Sequence, residues 1–371
     1  MSIIIFIIIL AILILVHEFG HFIVAKKSGI KVDEFGLGFP PKIISKKIGE
    51  TTYTLNAIPF GGFVKIFGED PHAEEIVPAD KDRSFYYKPK YIQALVLVAG
   101  VVFNILFASL LLSISFMIGQ PATIETSRFG EIQNSKLTIT SVLPGSPAQK
   151  AGLTSGDAIL FVEATGNDKG AQLDTEGNLT PEQVSKVVSE SDGEKITMLY
   201  QRGDSVPATA FIVPTETLVP GRKAVGISMG IIGILKLPPH TAILQGLIST
   251  AQLTWVTAVG LVHFLWNVVT FNSDFSQVSG PVGIAGVVKD VSKLGFTHLL
   301  SLTALISINL AVINLVPFPA LDGGRLFFVA IEAVTRRKIP SKVATWVNAS
   351  GFILLLILMG VVTLNDILKL F

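Results

Sequence analysis

The sequence predicts a polytopic α-helical membrane protein of about four transmembrane helices, with a small soluble α/β domain inserted between spans. Three observations predict it. Half of the 371 residues are hydrophobic, 15% are charged, and the mean hydropathy is +0.60, which is too apolar for an ordinary soluble chain. Four apolar runs are each long enough to cross about 30 Å of hydrocarbon as a helix. The stretch 122–215 is instead polar and punctuated by Gly and Pro. The net charge of +1 gives no reason to expect nucleic acid, and the lack of cysteine excludes disulfides and cysteine zinc sites.

Residues 3–16, IIIFIIILAILILV, are apolar without a break, and the run continues through HEFGHFIVA to Lys26. No basic segment precedes it and no small-residue cleavage site follows, so residues 1–27 read as a first span rather than a signal peptide. Residues 28–91 hold TTYTLNAIPFGGFVKIFGED, which alternates as a strand does and has a turn signal at Gly61-Gly62. A second span covers 92–119. Within 122–215, LTITSVL, AILFVEA, KITMLYQR and ATAFIVP read as short strands, and TPEQVSKVVSES as a helix with a Thr cap and a leading Pro. Spans three and four cover 298–321 and 344–368.

Charge sets the topology. Lys26, Lys27, Lys31, Lys42, Lys46, Lys47, Lys88 and Lys90 flank the 28–91 segment, and Arg325, Arg336, Arg337, Lys338 and Lys342 fill the connection between spans three and four. By the positive-inside rule both connections are cytoplasmic, and 122–215 is external. An even number of crossings must separate the two basic connections. Spans two and three satisfy that alone. Residues 216–297 are therefore expected to hold amphipathic or re-entrant helices at the outer interface, with 241–271 anchored by Trp255, His263 and Trp266. Hydropathy by itself would favour a fifth crossing there.

The first span carries His17, Glu18 and His21 as H-E-x-x-H. Residues four apart on a helix share a face, so both imidazoles can reach one ion while Glu18 is offset toward a metal-bound water. The expected ion is zinc, which takes three protein ligands and a water whose pKa it lowers to about 7, leaving the glutamate to accept the proton. Inside an apolar span no solvated face exists to explain such residues otherwise. A third ligand is needed at similar depth. Among Asp322, Glu332 and Asp366, Asp322 fits best, because span three and span one both end on the cytoplasmic side. Pro317 and Pro319 break helical bonding near it, which is tolerated only in buried backbone or beside a wet cavity. Asn309 and Asn314 in the same span suit either interhelical hydrogen bonding or the holding of an unwound substrate backbone.

These residues resemble the site-2 protease family of intramembrane zinc metalloproteases, in the bacterial branch that includes the regulator of sigma-E protease. The likeness rests on HEFGH ending a first span, NLVPFPALDGG in the third, GVVFN (Gly100–Asn104) in the second, SGPVGI (279–284), and an intervening domain like a PDZ domain. It implies that His17, His21 and Asp322 bind zinc, that Glu18 is the catalytic base, and that Asn309 and Asn314 lie near substrate. It also implies that 51–70 forms a membrane-associated β-hairpin, with Gly61, Gly62, Phe63 and Val64 pairing with substrate. VLPGSPAQKAGLTSGDAIL (142–160) resembles a PDZ ligand loop and the strand after it, with Pro144, Gly145, Ser146, Pro147 and Ala148 as the loop capturing a peptide C-terminus. Some members carry two tandem PDZ domains, whereas 122–215 has room for one.

The resemblance thus implies a zinc endopeptidase of the bacterial plasma (inner) membrane, with its active site toward the cytoplasmic leaflet. It would cleave transmembrane segments of membrane proteins, such as pre-trimmed anti-sigma factors or remnant signal peptides. A non-catalytic membrane scaffold bearing the same external domain is the alternative. A metal transporter would need a polar path through several spans, which the second and fourth do not offer.

Overall fold

The computed structural model of the chain describes residues 2–69, 78–123, 130, 132–164, 179–191, 193–203, 205–219, 222–270 and 280–368. In chain order the elements are α1 (Ser2–Lys27), β1 (Val32–Ile48), β2 (Thr51–Ile66), α2 (Lys90–Ile118), β3 (Gln120–Thr123), β4 (Ile132–Val142), α3 (Pro147–Lys150), β5 (Asp157–Ala164) and α4 (Pro181–Glu190). There follow β6 (Ile196–Arg202), β7 (Ala208–Ile212), β8 (Thr215–Val219), β9 (Arg222–Ala224), β10 (Ile227–Leu235), α5 (Pro239–Val269), α6 (Pro281–Leu294), α7 (Phe296–Leu315), α8 (Asp322–Thr335) and α9 (Ser341–Leu368). The chain forms two compact units, Met1–Ser115 with Gly246–Phe371, and Phe116–Gln245.

Five helices among the described residues are long and apolar enough to cross a membrane: α1, α2, α5, α7 and α9. Four of these match the runs read from sequence. The fifth, α5, which covers the stretch expected as an amphipathic or re-entrant helix, is a single uninterrupted helix of 31 residues. Its exposed face carries Trp255, Val262, Trp266 and Val269.

In the helical unit, β1 and β2 form an antiparallel pair whose turn lies at Gly49-Glu50, not at Gly61-Gly62 as the sequence suggests. Gly49 takes φ +63°, the left-handed geometry a tight turn requires. Both strands bend, so that residues 32–37 face 62–66 on one side and 52–55 on the other, while 44–48 face 51–55. Gly61-Gly62 lies inside β2. A Cβ at Gly62 would come 3.2 Å from Ile14 Cγ2 and 3.3 Å from Glu18 Cγ, so glycine lets the strand lie directly against α1.

Two apolar clusters fix α1. Ala25, Ile30, Val32, Ile66, Phe85, Val96, Leu97 and Val329 join the end of α1 to the hairpin, α2 and α8. Ile9, Leu13 and Val288 join its first half to α6, with Leu299, Leu302, Ile306 and Leu310 of α7 packed alongside. Helix α7 stops at Leu315 because Pro317 has no N–H and pushes Val316 into extended geometry (ψ 135°). Gly323 and Gly324 then let α8 start against that end. A Cβ at Gly324 would come 2.8 Å from Phe318 C and 3.1 Å from Pro319 N.

The second unit is built on a six-stranded sheet in the order β3-β10-β4-β5-β6-β7. Leu137, Ile139, Val162, Val184, Ile196, Met198 and Ile212 fill its core. Thr180 and Gln183 form a reciprocal capping box at the start of α4. From sequence this domain ends at 215, with interfacial helices from 216. In the structure the unit runs to Gln245, because β10 is an inner strand of the sheet, paired between the edge strand β3 and β4. Its segment ISMGIIGIL alternates only over Ile227–Ile231 before two adjacent isoleucines break the period, so the strand leaves a weak signal in the sequence. Its Gly233 allows close approach: a Cβ there would meet Gln133 O at 2.7 Å.

Candidate metal centre and active site

His17 and His21 lie one turn apart on α1, and their Nε2 atoms are 3.2 Å apart. Asp322, the first residue of α8, places Oδ2 2.9 Å from His17 Nε2 and 3.2 Å from His21 Nε2. Among the described residues these three form a group whose ligand atoms all lie within 4.8 Å of one another, with both imidazoles buried. Zinc bonds of about 2.0–2.2 Å in a tetrahedron put ligand atoms about 3.3–3.6 Å apart. The observed spacing needs only a few tenths of an ångström of expansion to match.

The surroundings suit the same ion. His21 Nδ1–H donates to Val96 O at 2.8 Å, which leaves Nε2 with a lone pair for a metal. Gly100 on α2 makes room for the rings: a Cβ there would come 2.7 Å from His17 Cε1 and 2.8 Å from His17 Nε2. The donor set, two imidazoles and a carboxylate with room left for one more ligand, is that of a catalytic zinc site rather than a closed structural one. Glu18, His21 and Asp322 line a cavity of about 730 Å³ that also takes in Gly62, Phe63 and Val64 of β2.

The family model of peptidase family M50 matches residues 5–358. The chain belongs to peptidase family M50. It is 35% identical over 361 residues to a Clostridium perfringens protein named as a candidate zinc metalloprotease, covering 96% of this chain and 95% of that one. It is 30% identical over 447 residues to zinc metalloprotease RasP of Oceanobacillus iheyensis, covering 100% and 99%. A third relative, from a Synechocystis strain and named like the first, is 35% identical over 368 residues, covering 98% and 93%. This M50 peptidase is accordingly a membrane-embedded metalloprotease whose metal is zinc. The family implies membrane-protein substrates and a lipid environment.

Other residues singled out from sequence are placed less uniformly around the peptidase site. Gly62, Phe63 and Val64 line the cavity; Gly61, next to them, does not. Asn309 and Asn314 are half-buried on α7 and do not line it. The two acidic residues weighed against Asp322 have other tasks. Glu332 pairs with Lys90 and accepts Ile339 N–H at 2.8 Å. Asp366 is buried on α9 and accepts Gly283 N–H at 2.7 Å in the first turn of α6.

In the second unit the loop Pro144–Ala148 has little left to offer a ligand. Both prolines lack an N–H. Gly145 N–H goes to Gln149 Oε1 at 2.7 Å, Ser146 N–H to Leu143 O at 3.2 Å, and Ala148 N–H to Val225 O at 3.0 Å. A groove of about 560 Å³ runs instead between Ser185 and Val188 of α4 and residues 223–229, and it touches only Pro144 of that loop. The sequence signal that does exist for this groove is the positive-φ Gly226 (+81°) opening β10.

Sequence reasoning noted Gly100 and Asn104 only through resemblance, yet both sit at the histidines. Asn348 of α9 is a further addition: it lines the cavity and accepts Ala320 N–H at 3.4 Å, just before Asp322. A lone Asn in an apolar run carries no signal that would have placed it there.

Proposed function

We propose that this M50 peptidase is an intramembrane endopeptidase that cleaves transmembrane segments of other membrane proteins. The observation that supports this most is that Glu18, His21, Asp322 and the strand residues Gly62–Val64 all line one cavity. His17 Nε2, His21 Nε2 and the Asp322 carboxylate would hold the zinc. When bound, zinc supplies a Lewis acid for water and for the scissile carbonyl. Glu18 removes the proton from the attacking water and returns it to the leaving amide nitrogen. A helical substrate hides its carbonyls in its own hydrogen bonds, so it must unwind before attack. Residues 62–66 pair with 32–37, and their other edge would add the unwound substrate as a strand. Asn309 and Asn314, off the cavity, would act through helix packing.

The meeting of Asp322 with His17 also supports the topology. Lys26 and Lys27 end α1 in the cytoplasm. Helix α7 must then run the same way to deliver Asp322 to the same leaflet. On this reading α5 does not complete a crossing, its exposed Trp255 and Trp266 lie in the outer interface, and the second unit is extracytoplasmic. That unit is read as a PDZ-like domain. Its groove at residues 223–229 would take an extended peptide end, as a pre-trimmed anti-sigma factor or a remnant signal peptide would present.

The test is cleavage of a membrane-spanning peptide by purified protein in lipid vesicles, with product ends read by mass spectrometry. Cuts inside the hydrophobic stretch are expected. Cuts confined to soluble flanks, or none with zinc loaded, would overturn the proposal.

A further inference from the structure

Asn104 is fully buried on α2, one turn after Gly100. Its Nδ2 faces His17 Nδ1 at 3.3 Å, while its Oδ1 is buried and finds no donor. Oxygen and nitrogen of a side-chain amide are assigned from their partners, so both mismatches bear on which way the amide points. For His17 to present a lone pair on Nε2 toward Asp322 and His21, its proton must sit on Nδ1. An N–H on Nδ1 cannot face an NH₂ group, since both are donors. Turning the amide over puts Oδ1 on that proton and gives the orphaned oxygen its donor.

We propose that Asn104 is the positioning residue of the first zinc ligand: its Oδ1 accepts His17 Nδ1–H and locks the ring in the metal-binding tautomer. This rests on the reading of His17 as a ligand. The two imidazoles are then held in parallel ways. Val96 O accepts from His21 Nδ1, and Asn104 Oδ1 accepts from His17 Nδ1, both from α2. Ser307 on α7 donates to Asn104 O at 2.8 Å and braces the backbone that carries the amide. The four-residue spacing of Gly100 and Asn104 has a physical reason here. It puts an empty slot for the rings and an acceptor for one of them on the same face of α2, one turn apart.

The experiment compares zinc affinity, by chelator competition, in the purified protein and its Asn104→Leu, Asn104→Asp and His17→Ala variants. Asn104→Leu removes the acceptor at similar volume, and zinc affinity is expected to fall about 10–100-fold. Asn104→Asp keeps an acceptor on Nδ1 and is expected to stay within about threefold of the wild type. Equal affinity in Asn104→Leu and wild type overturns the proposal, as does an equal loss in both Asn104 variants. Failure of the ligand reading looks different, because His17→Ala would then bind zinc like the wild type. Should Asn104→Leu not fold, ¹⁵N-histidine spectra of the zinc-loaded wild type decide. The chain has six histidines, and His17 is assigned by its absence in His17→Ala. A protonated His17 Nδ1 is expected, and a protonated Nε2 overturns the proposal.

Discussion

Asp322 Oδ2 lies 2.9 Å from His17 Nε2 across 305 residues of sequence. Little in either residue's local sequence requires that meeting. It follows from Pro317 stopping α7 and from Gly323 and Gly324 letting α8, whose first residue is Asp322, begin against that end. The consequences can be measured separately at the strand, at two other carboxylates, at the groove of the second unit and at the metal.

Gly62 is where β2 lies against the turn of α1 that carries Glu18. In Gly62→Val the added side chain meets Ile14 and Glu18, and the strand must move away from α1. Displacement of about 1 Å at a catalytic site can cost about 100-fold in rate. Cleavage of a membrane-spanning peptide should therefore drop at least about tenfold while zinc content stays at the wild-type level. Wild-type cleavage would remove the strand from the mechanism.

Half-buried Glu332 and buried Asp366 are carboxylates with protein partners of their own, Lys90 and Ile339 N–H for one, Gly283 N–H for the other. Glu332→Ala leaves Lys90 without its partner and Asp366→Ala uncaps α6. Each should cost about 1–3 kcal/mol of stability in thermal unfolding. Neither should change bound zinc, and a loss of zinc with the fold intact would assign that residue to the metal after all.

Glu50, beside the hairpin turn, accepts from Arg83 and from Lys26 Nζ at 3.0 Å. The Arg83 guanidinium, and Lys26 after it, hold its carboxyl below the usual carboxylate range. A depressed folded pKa gives stability that is present above the unfolded value of about 4.3 and is lost as pH falls through the folded one. Wild type should be slightly more stable than Glu50→Gln at neutral pH, and the two should converge as pH falls below the unfolded value and through the folded one. A gap that persists in acid would mean the difference is not electrostatic.

Ser185 faces the groove of the second unit from α4. Ser185→Trp should fill the groove and abolish binding of a peptide with a free C-terminus, measured by fluorescence anisotropy, with zinc content unchanged. Pro144→Ala should bind normally, since the groove is formed mainly by 223–229 and α4. The opposite pattern would return the binding role to the 144–148 loop.

The metal centre was legible because burial makes it expensive. Two histidines and a glutamate in an apolar run have few other uses, and the basic connections gave the reason to expect Asp322 beside them, where its carboxylate meets both imidazoles. The hairpin was legible as a hairpin but not in its turn. Gly61-Gly62 is a stronger turn signal than the lone Gly49, and only the packing of Glu18 against Gly62 shows that the pair serves close approach. Strand β10 was hidden because its alternation breaks at Ile231-Ile232, halfway along. The 144–148 loop read as a peptide-binding loop from its glycine and prolines. Where its amides point depends on Val225 and Leu143, and no spacing within the loop reveals that.

The most direct test is zinc stoichiometry in purified wild type, His17→Ala, Asp322→Ala and Glu18→Gln, with cleavage of a membrane-spanning peptide measured on the same samples. One zinc per chain is predicted for the wild type and Glu18→Gln, and near none for the two ligand variants, with cleavage in the wild type alone. Full zinc in Asp322→Ala, or wild-type cleavage by Glu18→Gln, would contradict the account.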